Sequence, residues 1–83
     1  MDNQDVIGRI NSILIDKLNV ERDELFPEST FEQLGADSLD TVEVQMEIEQ
    51  EFGITLKDDD VAKLSIIQDL YTIVIKEIEK LVG

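Results

Sequence analysis

Apolar residues recur three and four positions apart at both ends of this chain, and that spacing admits little except helices. Val6, Ile7, Ile10, Ile13, Leu14 and Leu18 follow it in the first segment, and Ile67, Leu70, Tyr71, Val74, Ile78, Leu81 and Val82 follow it in the last. Such a period lines these side chains along one stripe of an α-helix, which must then face a core. Asn19 follows the first stripe and tolerates the left-handed backbone that ends many helices. Ser65-Ile66-Ile67-Gln68 reads as a capping box that opens the last helix.

Between these ends the pattern changes. Residues 20–36 lack a sustained period and contain Pro27 and Gly35, so they read as a long loop with a short helical turn, for which Ser29-Thr30-Phe31-Glu32 fits a capping box. Loops of this length in small domains are often functional. Leu25, Phe26, Phe31 and Leu34 are expected to pin it to the core. A second helix is predicted from about Ser38 to about Phe52, stopped by Gly53. A short third helix follows near Asp58 to Leu64, its aspartates suited to a helix N-terminus. With no strand-like alternation, no internal repeat and no linker, residues 1–83 read as one all-α domain. It is a small four-helix bundle of three main helices and one short third helix, with a long first loop.

Composition excludes many functions. The 83 residues contain no cysteine and no histidine, which removes disulfides, thiolate metal sites, a Cys nucleophile, and any Ser-His-Asp arrangement. No catalytic residue and no metal site is expected. The start Met1-Asp2-Asn3-Gln4-Asp5 is acidic where a targeting peptide is basic, and no apolar run approaches the about 18 residues that span a membrane. The expectation is a cytoplasmic monomer without membrane insertion. Lys and Arg total 7 against 20 Asp and Glu, a net charge of −13, which repels nucleic acid. Ten acidic residues and no basic one lie between Arg22 and Lys57. That block is either a solvated face or a lure for basic partners.

The second helix separates the two readings. At about 100° per residue, Val44, Ile48 and Phe52 fall in one arc with Thr41, the core face. Leu39, Val42 and Met46 fall roughly opposite, flanked by Glu43 and Glu49, where the same core cannot bury them. Each such side chain gains about 1.5–3 kcal/mol on burial, so something should cover the strip. Either the first loop folds over it, or a partner docks there, with a carboxylate rim meeting Lys and Arg.

Ser38 stands at the head of this helix. A Ser beside an Asp at a helix start is usually a cap, but if Asp37 caps, Ser38 lies in the first turn with a free hydroxyl, and Gly35 gives the approach its backbone freedom. Without His or a nearby Lys it is no catalytic nucleophile. The string Leu34-Gly35-Ala36-Asp37-Ser38-Leu39-Asp40-Thr41-Val42-Glu43, together with the length, acidity and helix order of the whole chain, resembles the acyl carrier proteins, in particular the free-standing type of fatty acid synthesis.

That resemblance implies that a separate phosphopantetheinyl transferase attaches 4′-phosphopantetheine to Ser38, and that the arm's thiol holds acyl groups as thioesters. It implies docking of fatty acid synthesis enzymes with basic patches through Asp37, Asp40, Glu43 and Glu49, with Leu39, Val42 and Met46 as the apolar contacts. The repulsion of Asp37 and Asp40 is expected to keep the arm extended. Sheltering of the acyl chain is expected, with Val44, Ile48, Phe52, Leu64, Ile67 and Tyr71 as candidate lining, since each buried methylene gains about 0.8 kcal/mol. Two positions depart from the family's pattern: Gln50 stands where many members have Glu, and Gln45 where an aliphatic residue is usual, which bears on the space left for a chain.

Two other classes compete. Asp58-Asp59-Asp60 suggests calcium, but an EF-hand needs alternating ligands, a central Gly and a Glu at the twelfth position, none of which is present. An acidic adaptor without a prosthetic group, docking basic partners through the second helix and switched by phosphorylation of Ser38 or Thr41, accounts for the charge and the strip but leaves the signature string a coincidence.

Overall fold

The computed structural model describes residues 2–82, with the backbone alone at position 82. Four α-helices form among them: α1 (Asn3–Leu18), α2 (Ser38–Phe52), α3 (Asp58–Ala62) and α4 (Ile67–Val82). The all-helical bundle expected from the periodicity is the fold found. α1 starts where the Asp2 carboxylate accepts from the Gln4 N–H at 2.9 Å, and ends at Asn19, whose φ of 57° is the left-handed stop. Its Val6, Ile10, Ile13 and Leu14 are buried. It packs against both α2 and α4, whose Val44, Ile48, Ile67, Leu70, Tyr71 and Val74 join it in the core.

The first loop is more ordered than its irregular sequence suggests. A 3-10 turn at Arg22–Glu24 is held by reciprocal bonds between Glu21 and Glu24. The capping box expected at Ser29–Glu32 lies one residue later: the Gln33 N–H donates to Thr30 Oγ1, and the Thr30 N–H to Gln33 Oε1, both at 3.0 Å. Ser29 is otherwise employed, its hydroxyl donating to Glu24 O and accepting from the Phe26 N–H. Phe31 and Leu34 are buried and Leu25 half-buried, but Phe26 is 57% exposed and does not pin the loop.

The loop is tied to the start of α4 instead. The Phe31 N–H donates to Ser65 O, the Ile67 N–H to Ser29 O and the Gln68 N–H to Pro27 O, around an isolated antiparallel bridge between Thr30 and Ile66. The Ser65 capping box is thereby corrected. Asp69 reaches back to accept from the Ser65 and Ile66 N–H groups, and loop carbonyls take the next two. At its other end α4 outruns the core: Ile78 is half-buried and Leu81 is 62% exposed, while the side chain of Val82, expected in the same stripe, lies outside the described residues. α3 is also shorter than expected, five residues ending at Ala62 rather than Leu64.

Candidate functional site

Ser38 is positioned by the stretch before it and by Asp40 just after it. Phe31 and Leu34 are buried anchors, and Gly35 turns the chain at φ 77°, a region that L side chains avoid. The Ala36 N–H closes the turn on Phe31 O at 3.0 Å. Asp37 then caps α2: its Oδ1 accepts from the Asp40 N–H at 2.9 Å, while Asp40 Oδ2 accepts from the Asp37 N–H at 3.2 Å. The two aspartates satisfy each other's backbone donors, and Ser38 takes no part. Its side chain is exposed, and its N–H and that of Leu39 stand at the positive end of the helix dipole without the cap's carboxylates.

The second face of α2 is open. Leu39 is 67% exposed, Val42 47% and Met46 54%, so the first loop does not fold over them. Around this strip the carboxylates have different employments. Glu43 is exposed. Asp37 and Asp40 serve in the cap, and Glu49 is half-buried, its Oε2 accepting from the Leu56 N–H at 2.8 Å. On the flank toward α1, Glu51 pairs with Arg9 at 2.9 Å and Glu47 with Lys17 at 3.9 Å. The basic residues of α1 thus neutralise one side of α2, while the side bearing Leu39, Val42 and Met46 has acids and no cation within α2.

A cleft of about 350 Å³ opens beside Ser38, near the small end of small-molecule sites. α2 contributes Ser38, Thr41, Val42 and Gln45 to it; Asp58, Val61 and Ala62 face them from α3, with Leu64 just beyond. Of the residues expected to line a shelter for cargo, only Leu64 borders this space. Val44, Ile48, Ile67 and Tyr71 are closed in the core, and Phe52 packs half-buried against it. Thr41, placed by sequence in the core arc of α2, borders the cleft instead; Val61 and Ala62 were not singled out, because the placement of a five-residue helix against α2 leaves no periodic signal.

Two further side chains complete the picture. The Tyr71 hydroxyl donates to Asn11 Oδ1, joining α4 to α1. Burial pushes the phenol above its ordinary value, and the bond to Asn11 partly offsets this. Among the described residues no group of three or more His, Cys, Asp or Glu is arranged to hold a metal ion, and no helix is long and apolar enough to cross a membrane.

Comparison with known proteins gives the arrangement its context. The family described as Phosphopantetheine attachment site matches residues 8–74. The fold is similar to the crystal structure of an acyl carrier protein from Thermotoga maritima, with a TM-score of 0.84 and 31% sequence identity over 98% of this chain and 95% of that one. With the helix order, the serine-headed α2 and both comparisons in agreement, the chain belongs to the phosphopantetheine-bearing acyl carrier proteins.

Proposed function

We propose that this carrier serves fatty acid biosynthesis, with its 4′-phosphopantetheine arm joined to Ser38 Oγ. As an acyl carrier protein it is a carrier and not an enzyme. The observation that carries the assignment to Ser38 is the division of labour at the head of α2. Asp37 and Asp40 cap the helix between them, and Ser38 is left exposed with no structural task. The Ser38 and Leu39 N–H groups and the helix dipole suit a phosphodiester at that hydroxyl. Once attached, the arm supplies the thiol that the chain lacks, on which acyl groups ride as thioesters.

The chain's own part is to be recognised. Leu39, Val42 and Met46 offer apolar contact, and Asp37, Asp40, Glu43 and Glu49 border them with negative charge that suits basic patches on a phosphopantetheinyl transferase and on the synthesis enzymes. The carboxylates of Asp37 and Asp40 also repel the arm's phosphate and favour an extended arm. Shelter for cargo begins at the cleft between α2 and α3; Val44, Ile48, Ile67 and Tyr71, closed in the core, and the half-buried Phe52 are reached only when that packing opens. The acidity and the likeness to an acyl carrier protein support the fatty-acid type, working as a monomer in the cytoplasm.

Intact-protein mass spectrometry on protein from its native source tests this reading. A pantetheinyl phosphate that is present in the wild type and lost in Ser38→Ala is the expected result, with fatty acyl groups released by hydroxylamine. A bare or simply phosphorylated Ser38 would return the chain to the adaptor class, and polyketide or aminoacyl cargo would overturn the pathway.

A further inference from the structure

The cleft beside Ser38 has Val42, Val61, Ala62 and Leu64 as its apolar wall, and Gln45 is set among the polar residues Ser38, Thr41 and Asp58 that share the lining. It stands two turns along α2 from Ser38, about 10 Å at 1.5 Å per residue. Its side-chain amide is committed: Nε2 donates to Leu56 O at 3.3 Å and to Asp58 Oδ1 at 3.4 Å. One turn further on, Glu49 Oε2 accepts from the N–H of the same Leu56 at 2.8 Å. Two α2 side chains four residues apart thus grip both polar groups of one residue, and Gln45 also reaches the first residue of α3. Lys57 gives the short helix no side-chain cap, so apart from the packing of Leu56, Val61 and Leu64 this grip is what ties its start to α2. Gln45 is the member of the pair that faces the cleft.

We infer that Gln45 is a specificity-determining residue, its carboxamide resisting plain saturated acyl chains in the cleft and admitting chains that bear a hydroxyl. The inference rests on the reading of Ser38 as the attachment site. A saturated chain that parts α2 from α3 strands the Gln45 N–H and the Leu56 carbonyl against methylenes. A hydroxyl can accept from the first and donate to the second, so both stay satisfied. A carboxylate-bearing chain meets Asp58 instead and is repelled. Losing one half-buried bond of this kind makes the inserted state roughly fivefold rarer.

The test loads Ser38, using a phosphopantetheinyl transferase and amide-linked coenzyme A analogues, with octanoyl or 3-hydroxyoctanoyl groups, and reads the methyl shifts of Val61 and Leu64 by NMR. In the wild type the hydroxylated chain is expected to move these methyls and the Gln45 side-chain amide, and octanoyl to move them roughly fivefold less. In Gln45→Leu the order should reverse; Gln45→Met, which keeps the side chain's length, is the second variant should leucine disturb the packing. Octanoyl shifts as large in the wild type as in both variants would overturn the inference while leaving the carrier reading intact. An unmodified mass after the loading reaction would overturn the carrier reading and this inference with it, before any spectrum is recorded.

Discussion

Tyr71 is the chain's one tyrosine, and there is no tryptophan, so its ionisation can be followed by ultraviolet absorbance without interference. The phenol is neutral in the fold and held above its ordinary value by burial. Its contribution is therefore fully present below the unfolded value of about 10 and is lost as pH rises from there through the folded value. Absorbance at 295 nm should titrate later in the folded protein than in urea, and Tyr71→Phe should remove that part of the alkaline loss at a cost of about 1 kcal/mol for the bond to Asn11. The cap at Asp37, and with it a serine left over beside it, was legible in the sequence because a cap needs only local spacing; that Asp40 completes the cap from three residues on was not read. The partners of Gln45 were not legible. They lie in the α2–α3 connection and at the start of α3, and a wheel drawn for one helix places a residue at the edge of an arc without saying what it touches there.

Among the elements, α2 was read most fully, since a helical period assigns both of its faces and Gly53 ends it at φ 65°. Its reciprocal cap is also the most exposed to test. Asp37→Ala should cost about 1 kcal/mol in urea unfolding, and the double variant with Asp40→Ala should cost less than the sum of the two singles, because each carboxylate serves the other's backbone. The first loop resisted reading for a different reason. Ser29–Glu32 and Thr30–Gln33 are overlapping boxes one register apart, and local sequence does not choose between them. The choice is made by the strand-like tie to Ser65 and Ile67 and by the commitment of Ser29 to Glu24 and Phe26. Phe26 shows the same limit: an aromatic in a loop was expected inside, and the tie that holds the loop runs through backbone groups that leave its ring outside. The apolar stripe of α4 likewise says which side faces inward but not where the core ends, which is before Leu81.

For the molecule as a whole, charge sets the terms of encounter. A net charge of −13, with the basic side chains of α1 spent on Glu47 and Glu51, leaves the Leu39, Val42 and Met46 side of α2 acidic, and on the proposed function that side is the one that draws a basic enzyme. The Debye length falls from about 10 Å at 0.1 M salt to about 3 Å at 1 M, so kcat/KM for modification of Ser38 by the transferase should drop steeply as salt rises. In Glu43→Lys it should start lower and drop less. A rate indifferent to salt would mean that apolar contact alone brings the two proteins together. The bonds from Ser29 and Pro27 to the first turn of α4 bear on the order of assembly. The last helix in the sequence borrows its opening hydrogen-bond partners from the segment that precedes α2, so that turn matures only after the chain has closed a loop around the whole of α2, a non-local step of the kind that slows the folding of small domains. The segment that aims the serine and the opening turn of α4 therefore become native together, and a nascent chain does not complete the ties beneath Ser38 until the start of its last helix has been made.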